Sequence, residues 1–449
     1  MSTKEIFGHP RGLFVLFFTE MWERFSYYGM RALLMLYMTK VLFLDPQNAH
    51  HVLGFDAIYG MMGRLYGPLT TTGLSSRLYG FYTGFVYFTP FFGGIIADRY
   101  IGQRKSVYVG GFLMAIGHFL MAFPDLFFPA LLFLILGNGF FKPNISTQVG
   151  SLYAEGDERR DRAFTIFYMG INLGAFFSPL VCGTLGQKVG WHYGFGAAGI
   201  GMLIGLLIYH FGRGELPVES PKSKKQRETH NYEPLTRDDW IKIGALVYLC
   251  AVNILFWGVY EQQGDTMQLF ADKNTDWHLL GFDVPSTWFQ SFNPFIIFAM
   301  APLVDIFWGW QAKRGKEPGS VGKMALGCAM AGISFLVLAY YANQIGADGK
   351  GTVLWLFGIT FILTMGELYL SPIGLSLVTK IAPGRMVSML MGMWLLSSFF
   401  GNYMAGAIGA YYDKMTLPHF FTMVAIIAFA GAILFVIPLK PLHKMVKGA

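Results

Sequence analysis

Twelve stretches of about 20 or more mostly apolar residues recur along the chain, each long enough to cross the hydrocarbon core of a bilayer as a helix. They run over 12–44, 78–97, 105–123, 129–151, 163–186 and 191–211, then 241–265, 285–309, 323–343, 352–379, 386–411 and 417–438. The strict alternation of a membrane barrel strand is absent. Only helices and closed barrels satisfy their backbone groups in lipid, so each stretch is predicted to be a helix. Between the sixth and seventh lies RGELPVESPKSKKQRETHNYEPLTRDDW (213–240), which is polar and charged. The chain therefore divides into a first six-helix bundle (1–212), a cytoplasmic linker (213–240) and a second six-helix bundle (241–449). Equal halves of this kind predict a pseudo-twofold pair of bundles with a central cavity.

Composition sharpens this picture. Hydrophobic residues make up 54% of the chain and charged residues only 14%, where soluble domains carry about 25% charged residues. So few charges cannot build a water-facing surface. That excludes an ordinary cytosolic enzyme, a disordered chain and a nucleic-acid-binding domain, and makes the lipid bilayer the main solvent. The net charge of +7 is a topology signal. Of the 34 Lys and Arg, 24 fall in the tails and even-numbered connections, 7 in the alternate loops and 3 inside the spans. By the positive-inside rule both termini and the linker are cytoplasmic. The N-terminal MSTKEIFGHPRG has no small-residue cleavage site behind an apolar core and is predicted to be a cytoplasmic tail. Cys182, Cys250 and Cys328 are dispersed through apolar stretches and give neither a disulfide framework nor a metal-ligand spacing.

Candidate chemistry lies inside the spans. An Arg, Lys or Asp at the centre of a spanning helix costs about 2.5–3.5 kcal/mol on insertion scales, so a charge kept there calls for a use. Glu20, Glu23, Arg24, Arg31, Lys142, Glu261 and Glu367 are such residues. Four belong to TEMWERFSYYGMR in the first span. At about 100° per residue, Glu20, Glu23, Arg24, Tyr27 and Arg31 share one face, with Tyr28 at its edge. Glu20 and Arg24, spaced i,i+4, are predicted to pair directly. Lys142 sits mid-span beside Pro143, Glu367 mid-span near Pro372, and Glu261 toward the outer end of the seventh span. Tyr87, Asn172, Asn293, Trp257, Trp394 and Ser398 add polar and aromatic groups within apolar helices. A lone Asn in such a helix also serves to hold helices together.

This set carries no His/Glu zinc spacing, no phosphate-binding glycine loop and no nucleophile with a paired base. An enzyme is not expected, and no cofactor or metal is called for. The groups suit a small zwitterion. Arg and Lys take a carboxylate, carboxylates and Asn carbonyls take an ammonium, and aromatic rings line pockets for variable side chains. A carboxylate that chooses between a proton and a cation is a coupling device.

Several stretches carry a resemblance. GGIIADRYIGQRK (Gly93–Lys105) resembles the loop signature of the major facilitator superfamily, with Gly93, Asp98, Arg99, Gly102, Arg104 and Lys105. TEMWERFSYYG and FYMGINLGAFFSP resemble the E-x-x-E-R-F-x-Y-Y and F-Y-x-x-I-N-x-G motifs of the proton-dependent oligopeptide transporter family, supported by FFKPNIS, FWGVYEQQG and GELYLSPIG. The resemblance covers essentially the whole chain. It implies the major facilitator fold, with twelve transmembrane helices in two six-helix bundles. It implies a monomer in a bacterial inner membrane that imports di- and tripeptides together with protons, the protons being the coupling ion. By the same resemblance Glu20, Glu23, Arg24, Glu261 and Glu367 couple protons. Arg31 and Lys142 contact the peptide carboxylate, and Asn172, Asn293 and Glu367 surround its amino end. Tyr27, Tyr28, Tyr87, Trp257, Trp394 and Ser398 line the pocket. Arg31 with Glu261 and Lys142 with Glu367 form outer and inner gate pairs. Two departures stand out: the linker is too polar for the two extra helices of many bacterial relatives, and LYGFYTGF lacks the histidine of animal relatives. Other readings are a facilitator-type drug antiporter or nitrate importer, and a non-transporting peptide receptor.

Overall fold

The computed structural model describes residues 5–154, 157–217, 235–279, 281–383 and 386–437. Lys4, most of the expected linker, Arg385 and the cations near the C-terminus lie outside them. Each of the twelve expected spans coincides with a helix. In chain order the helices are α1 (Arg11–Tyr37), α2 (Phe55–Tyr66), α3 (Thr71–Ile96), α4 (Gln103–Leu120), α5 (Phe127–Ser151), α6 (Arg159–Ser178) and α7 (Trp191–Gly212). They continue as α8 (Arg237–Tyr260), α9 (Thr266–Asn274), α10 (Phe292–Lys313), α11 (Ser320–Ile345), α12 (Val353–Ile381), α13 (Val387–Gly409) and α14 (Leu417–Val436). Among the described residues, nine helical segments are apolar and long enough to cross a membrane on those criteria alone. α1 does not meet them because it carries Glu20, Glu23, Arg24 and Arg31. The amphipathic α2 and the short α9 lie outside the expected spans. So do the two-residue strand pairs, including a hairpin of Glu5–Ile6 with His9–Pro10 where a tail was expected.

Local chemistry accounts for several boundaries. α8 begins at a reciprocal cap: the Thr236 hydroxyl accepts from the Asp239 N–H at 3.2 Å, and the Asp239 carboxylate accepts from the Thr236 N–H at 2.9 Å. In α5, Pro143 has no N–H for the carbonyl one turn back, that of Gly139. Gly93 of α3 packs directly on that carbonyl, where any Cβ would clash. Two further bonds stitch α3 to α5: Asn138 Nδ2 donates to Val86 O at 2.8 Å and Thr89 Oγ1 to Ile135 O at 2.9 Å. The N-terminal hairpin is fastened to the far end of α5. His9 Nδ1 lies 2.7 Å from the Tyr153 hydroxyl, and Arg159 donates to Glu5 at 2.9 Å and to Gly8 O at 3.1 Å. The same Arg159 holds the Asp157 carboxyl below its usual range through hydrogen bonds.

The chain forms two compact units. The first comprises Met1–Thr71, Phe85–His230 and Val284–Pro294; the second comprises Thr72–Gly84, Asn231–Asp283 and Phe295–Ala449. Helix pairing repeats between them. In the first unit α1 packs on α6 and α7, and α4 on α5 and α7. In the second, α8 packs on α13 and α14, and α11 on α12 and α14. Numbered by span, the first set is 1–5, 1–6, 3–4 and 3–6, and the second repeats it six spans later. Small residues set the spacing, as membrane helices require. A Cβ on Gly110 of α4 would meet Gly137 O of α5 at 2.6 Å, and a Cβ on Gly327 of α11 would meet Gly366 O of α12 at 2.6 Å. These pairs occupy the third and fourth spans of their halves. In the first unit, Arg104 at the start of α4 donates to the carbonyls of Arg213 at 2.9 Å and Leu216 at 2.8 Å, beyond the end of α7. Arg104 of the loop signature thus ties the start of α4 to the chain beyond α7.

Overpacking a tight seam costs about 1–3 kcal/mol. Gly327→Leu is therefore expected to lower the thermal midpoint of the detergent-purified protein by several degrees. Gly358→Leu in α12, where an added Cβ meets nothing within 4 Å, is expected to leave it unchanged. Equal midpoints for the two variants would refute the close-approach account.

Candidate functional site

In the first unit the face of α1 is turned inward, and its charges neutralise one another. Glu20 and Glu23 are fully buried and Arg24 is nearly so. The Arg24 guanidinium folds back onto its neighbour Glu23: Nη2 donates to Oε1 at 2.6 Å, and Nε donates to Oε2. The expected i,i+4 pair is present but longer, with Arg24 Nε at 3.4 Å from Glu20 Oε1. A parallel fork to one carboxylate outcompetes a single contact to the other. Glu20 instead receives the ammonium of Lys142, which reaches Oε1 from α5 at 2.8 Å. The result is a line Glu23–Arg24–Glu20–Lys142, two acids and two bases in alternation. Asn138 of α5 adds a neutral contact, its Oδ1 3.3 Å from Arg24 Nη2. The other Glu20 oxygen, Oε2, is buried without a hydrogen-bond partner.

Aromatic rings flank this line. The Arg24 guanidinium carbon lies 5.0 Å from the Tyr27 ring centre and 6.0 Å from that of Tyr28; Arg31 lies 6.0 Å from Tyr28 on its other side. The cations of α1 thus stack along tyrosine faces, which favours guanidinium. Asn172 of α6 donates back to its own helix, to Tyr168 O at 3.0 Å. Tyr87, in the first-unit part of α3, and Asn293, at the start of α10, are half-buried.

The second unit holds the remaining candidates. Glu367 of α12 accepts a hydrogen bond from the Tyr260 hydroxyl of α8 at 2.6 Å. Tyr260 stacks on Phe256 and meets Trp257 edge-on at 5.5 Å. Trp257 fits against Gly401 of α13, and its indole N–H has no hydrogen-bond partner. One turn earlier, Asn253 Nδ2 donates to Ser397 Oγ at 2.7 Å, leaving its own Oδ1 without a partner. Trp394 lies over Gly374 of α12 and is 4% exposed. Ser398 is buried beside it in sequence, and its carbonyl accepts from Asn402. Glu261, in the turn after α8, is 2% exposed, so it is a buried acid and does not reach to the interface.

Three contributors to these networks were not singled out in the sequence: Asn138, Tyr260 and Asn253. Each is a polar residue inside an apolar span, which is the signal that marked Asn172. The residues of the two expected gate pairs belong to different units: Arg31 and Lys142 to the first, Glu261 and Glu367 to the second. Among the described residues there is no group of three or more His, Cys, Asp or Glu that could hold a metal ion.

Comparison with known proteins places this architecture. A sequence model described as the POT family matches residues 104–231 and 235–425. A peptide transporter, YePEPT, from Yersinia enterocolitica subsp. palearctica serotype O:3 (strain YE-P4) is 33% identical, with 99% of this chain and 97% of that one covered. A di-/tripeptide transporter from Lactococcus lactis subsp. cremoris is 31% identical, with 99% and 98% covered. Among solved structures, a peptide transporter POT in complex with sulfate superposes with a TM-score of 0.85 at 30% identity, covering 99% of this chain and 97% of that chain. A POT family transporter in complex with 5-aminolevulinic acid gives 0.82 at 29% identity, covering 99% and 98%. Fold and sequence agree, and the chain belongs to the POT family of multi-pass membrane transporters.

Proposed function

We propose that the protein is a proton-coupled symporter that imports di- and tripeptides by alternating access of its two six-helix halves, 1–212 and 241–449. It works as a monomer in the bacterial inner membrane, with both termini and the linker on the cytoplasmic side, as the distribution of cations supports. The observation that carries the reading is the buried line of acids and bases on α1 and α5, in which Lys142 is held by Glu20. Peptide transporters among the relatives support the substrate class.

The line supplies a coupling mechanism. Besides its gate partner Glu367, Lys142 serves two carboxylates in turn: Glu20 when the site is empty, and the peptide C-terminus when it is loaded. A proton on Glu20 removes the competing charge and frees the ammonium. The Glu23–Arg24 fork keeps Arg24 oriented while this exchange occurs, and a proton on Glu23 opens that fork. Arg31 provides the second cation for the peptide carboxylate, and Asn172, Asn293 and Glu367 receive its amino end. Tyr27, Tyr28, Tyr87, Trp257, Trp394 and Ser398 surround the side chains. Arg31 with Glu261 closes the outer side and Lys142 with Glu367 the inner side; releasing the proton inward restores these pairs and expels the peptide. One elementary charge crossing 100 mV supplies about 2.3 kcal/mol, enough for accumulation on the order of 50-fold when the peptide moves as a neutral zwitterion.

Reconstituted into liposomes, the protein is expected to accumulate labelled dialanine under an inward proton gradient, and unlabelled dialanine to compete. Nitrate or cationic drugs competing while dialanine does not would favour the other facilitator readings. Binding without exchange would favour a receptor. Glu23→Gln is expected to abolish gradient-driven uptake while preserving peptide exchange at equal pH on both sides; loss of both, or of neither, contradicts the coupling role. A charge-assisted hydrogen bond contributes about 1.5–3 kcal/mol, so Lys142→Gln should raise the KM for dialanine by at least tenfold. An unchanged KM would remove Lys142 from the carboxylate site.

A further inference from the structure

One further buried acid takes no part in the mechanism above. Asp265 stands between the turn that ends α8 and the start of α9, four residues beyond Glu261. Its side chain is fully buried. It occupies the position before the first turn of α9 yet makes no capping bond to that helix. Its single side-chain hydrogen bond comes from another helix, Ser76 Oγ of α3 donating to Oδ1 at 2.7 Å. Among the described residues the second oxygen, Oδ2, has no hydrogen-bond partner, and no Lys or Arg pairs with the carboxylate.

The surroundings explain why the carboxyl is sealed from the surface. The part of α3 that belongs to the second unit lies backbone to backbone on α13. A Cβ on Gly80 would meet Asn402 O at 2.6 Å and the Gly406 Cα at 2.9 Å. A Cβ on Gly409 would meet Ser76 Oγ at 2.7 Å and run into Asp265 Oδ2. Gln262 Nε2 ties the same turn to Ala405 O at 2.9 Å. The other ionisable group that senses Asp265 is the Tyr412 hydroxyl in the turn after α13; burial first, then Asp413 and Asp265, push it up, so it stays neutral. The glycine seam is thus capped by a carboxyl with one neutral donor. Ionised, it would be a charge with neither water nor cation, and such a charge costs several kcal/mol.

We propose that Asp265 is a proton-holding latch of the α3–α13 seam: carrying a proton it lets the seam stay closed, and losing it drives the two helices apart. By the distribution of Lys and Arg this end of the spans faces outward. Acid outside would then favour closure of the outer side once peptide has entered. The proton binds and leaves on that same side, so it adds no proton to the transport stoichiometry. The sign follows from the charge. The closed seam is favoured below the titration of Asp265 and disfavoured above it.

This inference rests on the reading of the protein as a proton-driven carrier, and its test has an arm independent of transport. The infrared spectrum of the purified protein near neutral pH is expected to contain a protonated-carboxyl C=O band that Asp265→Asn removes and Ser76→Ala shifts, since that variant keeps the acid and deletes its donor. In proteoliposomes at fixed internal pH, Asp265→Asn should move the alkaline limb of dialanine uptake up by about one pH unit in external pH, with an unchanged proton-to-peptide ratio. A band insensitive to both substitutions, or superimposable pH profiles, would overturn the latch. If the parent protein shows no proton-driven uptake while the band behaves as described, the carrier reading fails and Asp265 remains a proton-holding group.

Discussion

Charges buried in a helix bundle must find partners inside it, and the first unit is organised around that requirement. Glu20, Glu23, Arg24 and Lys142 alternate in sign along one line. Removing one partner of a buried ion pair typically costs about 3–5 kcal/mol because the survivor is left uncompensated. A ligand or a proton that changes one member therefore changes what every other member needs. The same low-dielectric setting that makes these charges expensive makes them responsive. Asn138 and the faces of Tyr27 and Tyr28 add a neutral dipole and aromatic rings around Arg24, so its position does not rest on its ion pairs alone.

The dryness of that setting is itself built from sequence. Gly110 with Gly137 and Gly327 with Gly366 bring backbones together at the same step of each six-span repeat. Pro143 frees a carbonyl on which Gly93 then packs, one residue from Lys142, so the helix irregularity and the ionisable group share a location. In the second unit, the Tyr260–Glu367 bond and the stack of Phe256, Trp257 and Tyr260 make α8 and α12 a second polar locus. Each unit thus keeps a polar network within its own packing, with Glu20 Oε2 in the first and Trp257 Nε1 and Asn253 Oδ1 in the second left without hydrogen bonds. Transport needs those networks to hold alternative partners.

Much of this was legible in the sequence, for identifiable reasons. An apolar run of about 20 residues has few alternatives to a spanning helix, which is why α5, α7 and α14 match their expected limits within a few residues. The stripe on α1 was legible because its charges recur at helical spacing. The partner choice within it was not. Spacing put Arg24 with Glu20, whereas side-chain rotamers let the guanidinium fold onto adjacent Glu23, and rotamers leave no periodic trace. α2 and α9 escaped notice because each is short, and neither begins with a side-chain cap. Asp265 sat at the edge of the seventh span in GDTMQ, where an acid reads as loop. Only the packing of α3 on α13 shows it to be buried.

The central claim is that Glu20 and the peptide carboxylate compete for Lys142, with a proton deciding between them. Calorimetric titration of the purified protein with dialanine, repeated in buffers of different ionisation enthalpy, measures the protons taken up as peptide binds. The account predicts an uptake approaching one proton per peptide near neutral pH, lost in Glu20→Gln. Equal, buffer-independent binding enthalpies in both proteins would contradict it.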